Sequence, residues 1–527
     1  MRLILKDYIS TFKEEIEMES LMEKILIMKD FKNIIIPQKG VGQLGVDFSA
    51  EKNTEIYLFV LKQQDIDRVT WDGDKNAVRS TLDEILDGYI PQRLNGFKGK
   101  INIILCTNGI IKQNVKANWD GYTKKYSNNN LKFFFWGIDE LVEMTEQFLL
   151  NEYIFSEDIR ADLRKSLYFF EEDTELRYFN NLLQKLINKI DTKSKKKKMY
   201  KKTLIVYAIV VRMCIQYSIK VNSKIAVNMS EKALITYWNF IIENELFEKN
   251  TEIEYLLILS EYYKECCREY IKEIKKVYEL KPSFPIYNSI EYKTLIYEVI
   301  GIITNYTYYI YYYEGVCDEV NENIYILLTI INNNVSFYYP LYDSNSIEIN
   351  SLIHLLKKVE NENTNSIIEN LVFRITHKMV RTKSYYPVEY ENLEKALDML
   401  FEKEVEDCKA TLLVTNLIEW LYVNNILNDI NEIVDQIRSK YNNITFNSIQ
   451  IIVDKEELCF KSDYHNSTVT YVVDLKNEKE VKNCIRQLKA KYNLSKYKFY
   501  KYSALPYLFI ASRNYRIPLP SSVIYDN

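Results

Sequence analysis

The sequence predicts a mixed sheet flanked by helices over the first 150 residues, then a large all-α, helical-repeat-like region, then a small mixed α/β end. Three observations carry this. Short apolar or alternating runs separated by helical stretches fill residues 1–150, the pattern of a sheet covered by helices. From 203 to 445 nearly every window has helical periodicity. The 527 residues include only 12 Gly and 9 Pro, too few turn formers for an all-β or propeller chain.

In order, residues 10–28 place Phe12, Ile16, Leu21, Ile25 and Met28 near helical spacing. The run NIIIP at 33–37 is a first strand stopped by proline, with further strands at 44–50 and 55–62. Residues 74–89 read as a helix with Val78, Leu82, Ile85 and Leu86 on one side. KINIILC at 100–106 is continuously apolar, as a strand buried on both faces must be, and LKFFFW at 131–136 is another strand before a helix at 137–149. The first domain is expected to end at 150. Residues 151–202 form a helical connector ending in the basic run KSKKKKMYKK at 193–202, read as a solvated linker, with a phosphate or membrane-surface contact as rivals. Residues 203–445 suit paired antiparallel helices, with blocks at 231–247, 252–278, 291–313 and 391–427 and no 34-residue repeat. The segment 446–527 holds strands at 447–453 and 468–474, a helix at 478–492 and an apolar helix before a proline-bounded tail.

Composition excludes several classes. A net charge of −4 gives no global attraction to nucleic acid, so any such contact is local. Eight cysteines without a C-x-x-C pair argue against zinc and for reduced thiols. The N-terminus turns charged too early for a signal peptide, and the apolar run 203–211 is cut by Arg212, so a cytoplasmic protein without stable membrane insertion is expected. Gly40-x-Gly42-x-x-Gly45 precedes a strand, whereas a dinucleotide site needs it to open a helix. No phosphate-cradling G-x-x-x-x-G-K-[ST] occurs. His354, His377 and His465 all lie outside the first domain, which argues against an HNH or histidine-triad site there. Trp71, Trp119 and Trp136 are expected to pack, with base stacking as the sharper alternative.

The chemistry concentrates at 38–68. Asp47 follows Gly45-Val46 at the start of one strand and Lys62 ends its hairpin partner, so a carboxylate and a lysine converge on one sheet edge. Such a carboxylate can bind a divalent cation that activates water, while the lysine stabilises charge on a scissile phosphate. Met18-Glu19-Ser20-Leu21, Gly45-Val46-Asp47 and Val60-Leu61-Lys62, in this order on helix and strands, resemble the PD-(D/E)xK nuclease superfamily in its Mrr-type branch. That pattern is F-E-x-L, G-x-D, then Q-x-K or E-x-K. The resemblance covers residues 10–150, under a third of the chain, and departs at Val60, where the family has Glu or Gln. Residues 65–94, TNG at 107–109, NWDGY at 118–122 and FWGIDEL at 135–141 are also similar to bacterial nuclease-like proteins of phage-defence neighbourhoods, which join this domain to a long helical region.

The resemblance implies a restriction-endonuclease-like fold and a Mg²⁺ (or Mn²⁺)-dependent DNA endonuclease in defence against phage or foreign DNA. Asp47 would be the primary metal ligand, Glu19 an outer ligand, the Leu61 carbonyl a further ligand and Lys62 the catalytic lysine. Arg68, Lys75, Arg79, Arg93 and Lys98 would line a DNA groove. The helical module would sense a trigger, recruit a companion defence protein (an ATPase or sensor) or mediate homo-oligomerisation. The alternative is a degenerate nuclease fold acting as a nucleic-acid- or protein-binding scaffold in a defence complex.

Overall fold

The computed structural model describes residues 2–12, 17–36, 44–73, 77–148, 155, 157–173, 175–190, 197–280, 290–382, 386–388, 393–400, 410–426, 430–441, 444–461, 468–473 and 478–525. It is a mixed α/β chain, a small N-terminal sheet followed by helices, and it divides into two compact units, 1–214 and 215–527. The first unit runs past residue 150 to take in segments expected to be a connector.

The first unit comprises α1 (Arg2–Ser10), α2 (Glu19–Met28), β1 (Lys32–Ile35), β2 (Phe48–Lys52), β3 (Glu55–Lys62), α3 (Arg68–Asp72), α4 (Val78–Glu84) running into a π turn at Ile85–Tyr89, α5 (Ile90–Arg93), β4 (Ile101–Thr107), α6 (Gln113–Tyr126), β5 (Leu131–Trp136), α7 (Ile138–Phe148), α8 (Glu157–Tyr168) and α9 (Arg177–Asn188). The sheet order is β1-β2-β3-β4-β5. β1 to β3 form an antiparallel meander, and β3, β4 and β5 are parallel. The parallel β4–β5 step requires a crossover, which α6 supplies.

Alternation along β3 feeds two cores. Leu58 and Val60 join Val46, Ile103, Leu105, Trp71, Trp119 and Tyr122 beneath α3, α4 and α6. Phe59 faces the other way, with its ring 5.9 Å from Phe31 and 5.5 Å from Trp136. All seven residues of β4 are buried, as its unbroken apolar run requires. Each fully buried Leu, Ile or Val contributes roughly 1.5–3 kcal/mol.

Several boundaries differ from expectation for local reasons. Of the helix expected at 10–28, α2 covers Glu19–Met28 and residues 13–16 lie outside the described residues; α1 precedes it and ends at Ser10, where the Asn108 side chain donates to Ile9 O, Ser10 O and Phe12 O. β2 begins at Phe48, four residues late, since Leu44 and Gly45 turn the chain at φ 45° and 78°. Neither α3 nor α6 was expected; α6 buries Val115, Trp119 and Tyr122 and carries Gly121.

The basic run is partly helical, because α10 (Lys197–Val221) begins within it. Lys201 pairs with Asp7 at 3.1 Å and Lys202 with Glu17, so these lysines anchor α10 to the N-terminal region rather than forming a solvated linker. Residues 191–196 lie outside the described residues. The segment Lys201–Val221 is, among the described residues, the one helix long and apolar enough to cross a membrane by length and composition. It is 67% buried inside the protein, the property of a core helix. Its helix passes Arg212, which the expectation of a short apolar run did not foresee.

The second unit continues with α11 (Ser223–Glu243), α12 (Asn250–Leu280), α13 (Ile290–Glu314), α14 (Asp318–Asn333), α15 (Ser346–Lys358), α16 (Thr364–Arg381), α17 (Leu393–Leu400), β6 (Ala410–Thr411), α18 (Leu413–Val423), α19 (Ile430–Lys440), β7 (Thr445–Ile451), β8 (Thr468–Val473), α20 (Glu478–Lys491), α21 (Lys498–Lys501), α22 (Leu505–Tyr515) and α23 (Ser521–Tyr525). The apolar α22 packs against α11, α13 and α15, where Arg513 meets the buried Glu231 and Arg516 meets the buried Glu348. The block 391–427 is not one helix. β6 pairs in parallel with β7 and turns directly into α18, whose first amides, Leu412 and Leu413, donate to the Asp343 carboxylate at 2.8 and 3.1 Å.

Candidate functional site

The site lies where β2 begins and β3 ends. The Asp47 N–H donates to Phe59 O at 2.9 Å, and the Leu61 N–H donates to Asp47 Oδ2 at 2.6 Å. The carboxylate is therefore fixed to the backbone one residue from Lys62, which is half-buried at the end of β3. Gly45 makes this placement possible. Its φ is 78°, and a Cβ there would stand 2.5 Å from Thr81 O in α4.

Beyond Lys62 the chain is held by β4. Lys62 is in register with Thr107. The Thr107 hydroxyl donates to Gln64 O at 2.5 Å, and Asn108 Oδ1 accepts the Gln64 N–H at 2.7 Å. Gln64 sits at φ 70°, an uncommon setting for a side-chain-bearing residue that these two bonds secure. Asn108, 2% exposed, donates through Nδ2 to three carbonyls at the end of α1, and Gln63 Nε2 donates to one of them, Phe12 O, at 3.0 Å. One amide thus ties β3, β4 and α1 together. Cys106, aligned with Leu61, is buried; burial pushes its thiol well above the usual range, and the Asp47 charge adds to this. Sequence reasoning missed Asn108 and Thr107 as organisers of this edge. Their signal was the T-N-G directly after a buried strand.

Glu19 opens α2 and is half-buried. Val60 is 0% exposed within the apolar core. A Mg²⁺ site takes one or two carboxylates and fills its shell with water and substrate oxygens. The Asp47 carboxylate is engaged on the Leu61 amide, the position two before Lys62 is closed by Val60, and no three His, Cys, Asp or Glu side chains cluster among the described residues. These residues do not fit the ligand set that the resemblance implies, so no chemical step is derived through a metal.

Of the basic residues expected to line a groove, Arg68, Arg79, Arg93 and Lys98 are described. Arg68 is exposed at the start of α3, capped by Asp67, on the Lys62 side of the sheet. Arg79 is paired with Asp72 at 2.9 Å. Arg93 is exposed at the end of α5. Lys98 lies two residues before Lys100, which reaches Glu55 at 3.4 Å, at the opposite end of β3. That end is roughly 23 Å from Lys62 at about 3.3 Å per residue. Lys75 lies outside the described residues.

The indoles pack. Trp71 meets Trp119 edge-on at 6.3 Å, and Trp136 lies against Phe59. His354 is buried against Tyr308 and Phe509, His377 stacks on Phe373 at 6.1 Å, and His465 lies outside the described residues. Among the described residues the cysteines are thiols rather than disulfides, and most are buried. No protein-family model, curated protein or solved structure matches this chain.

Proposed function

We propose that the N-terminal unit is a nuclease-like fold that grips the DNA backbone at the Asp47–Lys62 edge without cutting it, as the anchoring part of a bacterial defence complex. The observation that carries this reading is the use of Asp47 as a structural acceptor beside a buried Val60. A carboxylate clamped to a strand amide, with an apolar neighbour where a second ligand would stand, supports a binding role over a hydrolytic one. Lys62 and Arg68 would contact phosphates, and the helical unit would recruit a companion protein or a second copy.

Fluorescence anisotropy with labelled duplex DNA tests the reading. Lys62→Ala should weaken binding and flatten its salt dependence, because each phosphate contact released contributes to that slope. Asp47→Asn should bind nearly as the parent does. Binding unchanged by Lys62→Ala would remove the proposal.

A second reading, a Mg²⁺- or Mn²⁺-dependent endonuclease, is favoured by the adjacency of Asp47 and Lys62 at one strand edge. It would need a ligand beyond the described residues.

A further inference from the structure

Among the described residues, three cations of the second unit lie on helices that pack against one 3₁₀ turn and meet no carboxylate. Lys293, in the first turn of α13, is 7% exposed. Arg374 and Lys378 lie one turn apart on α16, and both α13 and α16 pack against the 3₁₀ turn Val335–Tyr338. Lys378 Nζ stands 4.1 Å from the Tyr386 ring centre and 5.8 Å from that of Tyr339. The Arg374 guanidinium lies over Tyr338 at 5.5 Å and Tyr339 at 5.7 Å, and donates to the Tyr339 hydroxyl at 3.2 Å. Tyr386 is held in place because Val388 bridges to Tyr342, with the Asp343 N–H donating to Val388 O at 2.9 Å. Burial, with the Lys293 charge adding to it, holds Lys378 down at about 7.

Aromatic faces only partly compensate buried cations. Lys378 also gains from the negative end of α16, but Lys293 sits at the positive end of α13, where the helix dipole adds to its cost. Among the described residues none of the three cations pairs with a carboxylate. Two polar atoms are also left over: the buried Tyr386 hydroxyl and Arg374 Nε have no hydrogen-bond partner among the described residues. Convergent cations, an unpartnered buried hydroxyl and an unpartnered guanidinium nitrogen are what a tetrahedral oxyanion would satisfy, the planar fork taking two oxygens and the lysines acting as point charges.

We propose that Lys293, Arg374 and Lys378, with the hydroxyls of Tyr339 and Tyr386, form a binding site for the phosphate group of a small molecule. Inorganic phosphate and a nucleoside monophosphate present the same group, and Tyr338 beside the site would add a stacking face for a base.

The test is calorimetric titration of the full chain with inorganic phosphate and, separately, with AMP, beside Lys293→Met and Lys378→Met, with the Tm of each protein measured without ligand. The parent should bind at least one ligand saturably and each variant at least tenfold more weakly. Without ligand, each variant should melt no lower than the parent, because a desolvated charge has been removed. AMP binding at least tenfold tighter than phosphate would assign the site to a nucleotide, and equal affinity to the phosphate group alone. No saturable binding by the parent, or unchanged binding in folded variants, would overturn the proposal. Should a Met variant fail to fold, Lys378→Arg keeps the charge, and loss of phosphate binding in that folded variant would equally count against it.

Discussion

The Leu61 amide donates to Asp47 Oδ2 at 2.6 Å, so the carboxylate that a nuclease would offer to a metal here clamps β2 to β3. Asp47→Ala should leave a strand amide unpaired at the site and destabilise the N-terminal unit by roughly 1.5–3 kcal/mol, the range for hydrogen bonds to charged groups. Asp47→Asn keeps an acceptor and should lose about 1 kcal/mol or less. Urea unfolding followed by tryptophan fluorescence would separate the two, and equal losses would argue against the clamp.

Gly45→Ala meets two obstacles at once, a left-handed φ and the Thr81 carbonyl at 2.5 Å. Strain of this kind costs about 1–3 kcal/mol before the steric contact is counted. Hydrogen exchange should show loss of protection across β2 and β3, with α22 in the second unit unaffected.

Asn108→Ala removes donors to Ile9 O, Ser10 O and Phe12 O and the acceptor for the Gln64 N–H. Unmet buried groups cost about 1–3 kcal/mol each when they stay desolvated. α1 should therefore detach first, seen as rapid exchange at Arg2–Ser10 while β4 stays protected.

His354 supplies a pH signature for the second unit. Burial, with the Lys358 charge as a smaller contribution, lowers its imidazole from 6.5 to about 3. Between these values the unfolded chain takes the proton and the folded chain does not, so stability falls as pH falls below 6.5. At pH 5.5 the loss from this group is about 1.4 kcal/mol. His354→Phe preserves a ring against Tyr308 and Phe509 and should narrow the Tm difference between pH 7.5 and pH 5.5. An unchanged difference would place the acid sensitivity elsewhere.

Strands were the most legible elements. β3 and β5 have the expected bounds because their apolar runs end sharply at Lys62 and Trp136. α6 was hidden because its buried face amounts to three residues around a glycine. The juxtaposition of Asp47 with Lys62 was readable from hairpin geometry alone. The role of Asn108 was not, since its partners on α1 lie 96 to 99 residues away. The same limit hid Lys293 and Lys378, whose helices α13 and α16 both pack against the 3₁₀ turn Val335–Tyr338. The expected block at 391–427 failed for a related reason: α18 is started by Asp343, a capping carboxylate supplied from outside its own segment.

The most direct test of the central claim is plasmid cleavage by the purified chain with Mg²⁺ or Mn²⁺, alongside Asp47→Ala and Lys62→Ala, with DNA retention measured in the same samples. No nicking or linearisation is expected from any of the three proteins, and retention should be weaker for Lys62→Ala than for the parent. Cleavage by the parent that disappears in both variants would contradict the claim and establish Asp47 and Lys62 as catalytic.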